Sequence, residues 1–304
     1  MNRFYVKRGT RLLFMVIPFM VLVFLLSYLP LSGWVYAFFN YKPGLPIGIH
    51  NFVGFDNFKM IIQDRYALND ILRVLRNTFA MSLLGLVTSP LPMIFAVFLN
   101  EIRHISYRRI VQTLTTIPNF ISWVLVFAVA YAMFSVGDGF LNRILLRWNL
   151  INQGIPFLSG KDHTWIGMWA WGTWKGLGWS SIMYIAALMS IDQEQYEAAR
   201  VDGAGRFACM WHITLPGLLP TYFVLLILQI ANFINNGMEQ YFVFQHAINR
   251  EYIEVLDLYV YNQGIAGINY SHAIAVSMLK SVVSLVLLFA ANNGSKIFRK
   301  ESIF

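Results

Sequence analysis

The sequence predicts an all-α polytopic membrane protein with six transmembrane helices, and three observations predict it. First, only 12% of the 304 residues are charged while 57% are apolar or aromatic, with a mean hydropathy of +0.55. A soluble domain carries about 25% charged residues. Second, no Asp, Glu, Lys or Arg occurs in 12–41, 77–100, 110–137 or 213–238. Each run exceeds the ~20 residues that cross ~30 Å of hydrocarbon as a helix. Third, the basic residues concentrate in alternate loops. Residues 1–11, 101–109, 192–212 and 294–304 hold 12 Lys and Arg in 52 positions, against 9 in 97 for 40–76, 138–163 and 239–272. The positive-inside rule assigns the first set to the cytoplasm, so both termini are expected there. Loop placement then accounts for the net charge of +8, and no nucleic-acid partner is expected.

The spans run in order, as a single domain over 1–304. The first covers 12–31, behind Arg3, Lys7, Arg8 and Arg11. Its apolar part is too long for a signal peptide and no A-x-A-like site comes after it, so it reads as an uncleaved span. Trp34, Tyr36, Phe38, Phe39 and Tyr41 then form an aromatic ledge suited to the interface. Spans two to six cover 77–99, 110–134, 164–189, 218–238 and 270–291. Pro90 and Pro92 fall in the second and Pro118 in the third. Neighbouring helices or waters can satisfy the carbonyls they free, so each marks either a pathway or a packing kink. The single Cys209 reads as a small buried side chain, and no Cys/His spacing suits zinc.

The loop at 192–216 is the most informative stretch. Asp192 can cap a short helix, with Gln195 as reciprocal partner. Gly203 breaks or sharply turns that helix. Phe207 and Trp211, four residues apart, share the face of a second helical turn, and Pro216 opens span five. The residues fit equally a helix–turn–helix docking knob and an amphipathic linker lying on lipid headgroups.

The run Glu197-Ala198-Ala199, then Asp202-Gly203-Ala204, with nine residues between the glycine and Ile213-Thr214-Leu215-Pro216, resembles the EAA loop of binding-protein-dependent ABC importer permeases. It matches E-A-A-x3-G-x9-I-x-L-P without a gap. Phe52-Val53-Gly54-Phe55-Asp56-Asn57-Phe58 resembles the segment after the first span in MalF-like carbohydrate permeases. Tyr107-Arg108-Arg109, Pro118-Asn119-Phe120-Ile121-Ser122-Trp123 and Tyr270-Ser271-His272-Ala273 resemble the LplB-type branch, which handles complex oligosaccharides. The resemblance implies an ABC type I importer permease fold in a bacterial cell membrane. Glu197, Ala198, Ala199, Asp202, Gly203 and Ala204 would dock a separate ATPase dimer. A second homologous permease would complete the pore, and an extracellular solute-binding lipoprotein would deliver the sugar. No G-x-x-x-x-G-K-[ST] occurs, and Gly160-Lys161-Asp162 lacks its other residues. ATP and Mg would sit on the ATPase, with no cofactor on this chain.

A sugar site wants aromatic platforms and amide or carboxylate partners in a concave place. Span four offers Trp169, Trp171, Trp174 and Trp179. Trp179, beside Gly176 and Gly178, is the expected lining residue, and the others suit packing or an interfacial belt. Gln229, Asn232 and Asn236 lie at i, i+3 and i+7 in span five and would share one face, with Glu239 just beyond. They serve either the pathway or interhelical hydrogen bonds. Lys175 and Lys280 are intramembrane charges and need a partner, a wet cavity or an interface. Each lysine either lines the pathway, favouring a uronate, or pairs with Glu239 or a backbone carbonyl. Asn119, Trp123 and Tyr131 are further candidates. An intramembrane enzyme would need H-E-x-x-H, G-x-S-x-G or paired carboxylates, and none occurs. An ion-coupled carrier would need in-span acids and an internal repeat, and neither is visible.

Overall fold

A computed structural model describes residues 8–161 and 163–299. Arg3, Lys7, Asp162 and Lys300 lie outside the described residues, as do the ends of the two terminal basic segments. The first span comprises α1 (Arg8–Val23), a π-helical turn at Phe24–Tyr28 and a 3-10 stretch at Leu29–Phe38. After it come α2 (Asp56–Gln63), α3 (Arg65–Val87), α4 (Leu91–Asn100), α5 (Ile105–Thr116), α6 (Trp123–Phe134), α7 (Phe140–Arg147) and α8 (Thr164–Leu188). The C-terminal part holds α9 (Gln193–Val201), α10 (Arg206–Cys209), α11 (Leu215–Ala231), α12 (Glu239–Phe244), α13 (Arg250–Ile253), α14 (Leu256–Tyr261) and α15 (Tyr270–Arg299). The described residues contain no strand beyond an isolated bridge between Phe39 and Phe52.

By length and composition, Leu12–Phe38, Arg65–Asn100, Arg206–Ala231 and Tyr270–Asn293 can cross a membrane. At 25 residues, α8 is about 37 Å long, also enough to cross, but its tryptophans, glycines and lysine make it less apolar than those four.

In the second and third spans Pro90 and Pro118 coincide with breaks between helices. The helix that carries the second span begins at Arg65, ahead of the uncharged run at 77–100, because an uncharged run marks hydrocarbon and not helix length. Ile71, Val74, Thr78 and Met81 continue one buried stripe through that extension. The third span bends by 106° between Ile105–Phe120 and Trp123–Phe134. Pro118 cannot donate to the ladder, a 3-10 turn at Ile117–Phe120 replaces it, and the chain is extended at Ile121 and Ser122 before Ser122 caps α6.

The chain divides into two compact units. One comprises the described residues of Met1–Leu68 with Val260–Leu279, the other those of Asn69–Tyr259 with Lys280–Phe304. In the first unit, Leu12–Leu31 exposes its apolar side chains along its length, as lipid contact requires. The aromatic ledge folds back through Gly54, whose φ of +56° suits a residue without Cβ. That turn lets Asn57 donate to the carbonyls of Ala37 (2.8 Å) and Phe39 (3.3 Å), which the end of the 3-10 stretch leaves open. Phe38, Phe55 and Phe58 pack around it, and Tyr41 N–H donates to Ser271 Oγ at 3.0 Å.

In the second unit, Met93, Ala96, Val97 and Leu99 of α4 form a core with Tyr184, Ile185 and Leu188 of α8 and Leu218 of α11. A Cβ on Gly178 would overlap the carbonyl of Thr115, so glycine is what lets α8 lie against α5. On α3, Asn77 donates to the carbonyls of Glu251 (2.9 Å) and Glu254 (3.1 Å), and Arg73 pairs with buried Glu254 at 2.8 Å. These bonds fold the 239–259 segment onto the helix.

Candidate functional site

The loop at 192–216 is a helical knob whose two ends are closed by different devices. Asp192 caps α9 by accepting from Glu194 N–H at 3.0 Å. Gln195 returns no bond among the described residues, so the reciprocal half of the expected box is absent. At the other end Gly203 takes φ +81°, Gly203 N–H donates to Arg200 O (3.1 Å) and Ala204 N–H to Ala199 O (2.8 Å). These are the paired bonds of a Schellman stop, which needs its left-handed residue where the glycine stands. Glu197, Ala198, Asp202 and Gly203 are exposed, while Ala199 and Ala204 are half-buried.

The knob is tied rigidly to the helix on its C-terminal side. Arg206–Ala231 is one continuous helical run, with a π-turn at Met210–Thr214 just before Pro216. Pro216 therefore lies inside the helix rather than opening it, and the wider turn takes up its missing N–H. Tyr196 Oη lies 3.0 Å from Thr214 Oγ1, and Arg206 meets both the carbonyl (2.9 Å) and carboxylate (3.0 Å) of Glu101. Phe207 and Trp211 project outward, 80% and 67% exposed. Cys209 is buried beside them.

Within the second unit, α3, α4, α8, α11 and α12 surround a cavity of about 500 Å³. Its polar lining includes Thr88, Ser89, Trp169, Trp179, Gln229 and Gln240, and none of its lining residues is charged. Trp169 Nε1 donates to Thr88 Oγ1 (2.9 Å), and Gln240 Nε2 donates to Met168 O (2.6 Å). Trp179 is half exposed and stands edge-to-face with Phe120 at 5.6 Å. Gly172 and Gly176 keep the α8 wall low: a Cβ at Gly172 would come into van der Waals contact with the Gln240 amide, and one at Gly176 would meet open space.

Of the residues singled out from sequence for the pathway, Trp179, Gly176 and Gln229 line this cavity, and Trp169, expected to pack or sit in an interfacial belt, lines it too. Lys175, Asn119 and Trp123 meet one another instead. Buried Lys175 donates from Nζ to the carbonyl of Asn119 at 2.7 Å and lies 5.4 Å from the Trp123 ring centroid. Of its two possible partners, the backbone carbonyl is the one engaged, and Glu239 is exposed. The shared amide face in span five does not exist. The α11 helix ends at Ala231, so Asn232 is its exposed C-cap, bonding back to Leu228 O at 2.9 Å. Asn236 lies beyond the helix, donating to Ser82 Oγ at 3.0 Å. The Asn- and Gly-rich run to Gly237, itself at φ +72°, breaks the helix that the i, i+7 spacing presumed. Trp171 packs against Phe134, Trp174 and Phe244, away from the cavity lining.

Three residues escape a reading of the sequence. Gln240 and Thr88 line the cavity from just outside the uncharged runs or beside a proline, where no periodicity points. Asp257 forms an ion pair with Lys280 and also accepts from Gly237 N–H at 2.9 Å. Its one signal is a lone acid in the apolar stretch Val255-Leu256-Asp257-Leu258-Tyr259. The described residues hold no cluster of His, Cys, Asp or Glu able to bind a metal.

The described residues thus combine several helices long and apolar enough to cross a membrane with an exposed helical knob at 192–216. Residues 88–295 match the family model for the binding-protein-dependent transport system inner membrane component, and the chain belongs to that family. It is 40% identical over 299 residues to protein LplB of Bacillus subtilis, covering 98% of this chain and 92% of that one. It is 35% identical to YteP, the polygalacturonan/rhamnogalacturonan transport system permease protein of the same organism, covering 95% and 89%. The structure resembles a chain of a bacterial ABC transporter involved in import of the acidic polysaccharide alginate. The TM-score is 0.84 at 31% identity, covering 96% and 97%. A second such structure, of the alginate transporter in complex with an alginate pentasaccharide-bound periplasmic protein, gives a TM-score of 0.85 at 30% identity, covering 99% and 100%. The chain is thus a multi-pass ABC permease and a transport subunit rather than an enzyme.

Proposed function

We propose that the chain is one half of the pore of an ATP-driven importer that moves an oligosaccharide from an extracellular binding protein into the cytoplasm. Six spans, with both termini cytoplasmic, put the knob on the ATPase side. The observation that carries the reading is the EAA run folded as an exposed helix with a Schellman stop at Gly203. Glu197, Ala198, Asp202 and Gly203 present a small-sided surface that a groove can approach closely. A second permease, an ATPase dimer holding ATP and Mg, and a solute-binding lipoprotein complete the assembly, and this chain needs no cofactor of its own.

The connections of the knob suggest how it transmits motion. Displacement of α9 passes through Tyr196 to Thr214 and into the continuous helix to Ala231, and the Arg206–Glu101 pair couples the same movement to the end of α4. Both helices wall the cavity, so pulling the knob reshapes it without a flexible joint between. Trp169 and Trp179 supply flat apolar faces for sugar C–H groups, and Thr88, Ser89, Gln229 and Gln240 supply partners for hydroxyls. The polysaccharides that YteP and the alginate transporter are named for support a sugar-type substrate.

The test is ATPase activity of the reconstituted importer with its binding protein and a panel of neutral and acidic oligosaccharides. Wild type should respond to one sugar class. Gly203→Asp, which forces a side chain onto a left-handed residue of the docking surface, should abolish that response while the complex still assembles. A variant that couples normally would overturn the docking role of the knob.

A further inference from the structure

A second cavity, of about 660 Å³, lies on the inner side of the knob, between the 100–108 loop, the end of α8 and α9. Four arginines line it, Arg103, Arg108, Arg200 and Arg206, against one acid, Glu101. Arg206 is satisfied by Glu101, and Arg108 donates to Asn100 Oδ1 at 3.2 Å. Arg103 and Arg200 meet no protein acceptor among the described residues. Several guanidinium groups converging on one hollow, two of them with open donors, form a site for a multiply charged oxyanion, because the planar fork matches phosphate oxygens.

We infer that this cavity binds a phosphate group, and that the bound phosphate bridges the knob to the membrane core. Gln193, Tyr196 and Arg200 face it from α9 at i, i+3 and i+7, so it occupies the side of that helix opposite exposed Ala198 and Asp202. A protein docked on the outer face leaves it free, which argues against carboxylates of the ATPase as its occupant. Ile102, Leu188 and Met189 complete the lining, and Met189 and nearby Ile105 expose their apolar side chains, 72% and 67%. A basic hollow bordered by such surface suits an anionic phospholipid headgroup with its chains alongside. A free phosphate compound offers the same chemistry without the chains.

The test uses the whole importer in nanodiscs of phosphatidylcholine, with or without phosphatidylglycerol, or with inorganic pyrophosphate. Retained ligand is counted by native mass spectrometry. Wild type should retain phosphatidylglycerol, and Arg103→Gln with Arg200→Gln should weaken retention by on the order of tenfold. Arg103→Lys with Arg200→Lys should keep much of it, and Arg147→Gln, at the end of α7, should change nothing. Arginine-dependent retention of pyrophosphate without retention of phosphatidylglycerol would support the same site with a soluble source. Equal retention in wild type and the glutamine variant would overturn the inference. So would loss of the ATPase from the glutamine variant with lipid retention unchanged, since the arginines would then serve docking.

Discussion

The knob and the membrane core solve the same problem, stopping a helix, by opposite means. At Gly203 the stop is local: a left-handed glycine closes two backbone bonds within the next residue, on an exposed stretch of chain. At Pro118 the stop lies among apolar helices, where a freed carbonyl has no water, and a lysine from a distant helix meets the carbonyl of Asn119. The same contrast recurs where α11 ends at Ala231. The turn after it is held by Asn236 to Ser82 and by Asp257 to Gly237, pairs remote in sequence. The knob ends its helix with its own backbone, and the core recruits side chains from elsewhere.

The largest expected effect tests the recruited charges. Lys280 and Asp257 are mostly buried, with side chains 13% and 20% exposed. Lys280→Met or Asp257→Asn alone leaves a partner without its counter-charge, a loss of roughly 3–5 kcal/mol for a buried pair. The double variant should recover much of that, as read by thermal unfolding in detergent in a double-mutant cycle. Additive losses would show that the two residues act separately.

Lys175→Met should come next. It removes the donor from the Asn119 carbonyl while keeping the apolar stem, and an unsatisfied buried acceptor costs about 1–3 kcal/mol. Because the bond ties α8 to the break in the third span, the loss should appear as faster proteolysis or hydrogen exchange around 117–123. If Lys175 instead met substrate, the variant would keep its stability and change only sugar dependence.

This contrast also explains how much is legible in the chain alone. The knob is legible down to its capping residue because Asp192, Gly203 and the bonds between them lie within a dozen positions. The spans are legible as apolar runs, but their breaks are less so: Pro118 announces a kink without its 106° size, and the Asn- and Gly-rich run after Ala231 signals a helix end that a reading by periodicity takes for a polar helix face. Asn232 and Asn236 share a face only on an unbroken helix, which is what periodicity assumes. Lys175, Asn119 and Trp123 each stand out in the sequence, yet as candidates for a sugar, since a single sequence does not show that they touch.

The smallest expected effect lies at the start of the knob, where the local solution is cheapest to disturb. Asp192→Ala removes one bond, to Glu194 N–H, from a solvent-exposed helix end, a loss of about 1 kcal/mol. Thermal stability of the whole protein should barely move, because α9 contributes no residue to the α4–α8–α11 core. Coupling should still suffer, since fraying at Asp192 loosens Gln193 and Tyr196, and with them the bond to Thr214 that ties α9 to the long helix. Sugar-stimulated ATPase activity falling by a few-fold at unchanged melting temperature would place the defect in transmission. Asp192→Asn, which keeps an accepting oxygen, should restore most of it. A fall in melting temperature as large as that of Lys280→Met would instead show that the knob is part of the core, and the contrast between the two regions would fail.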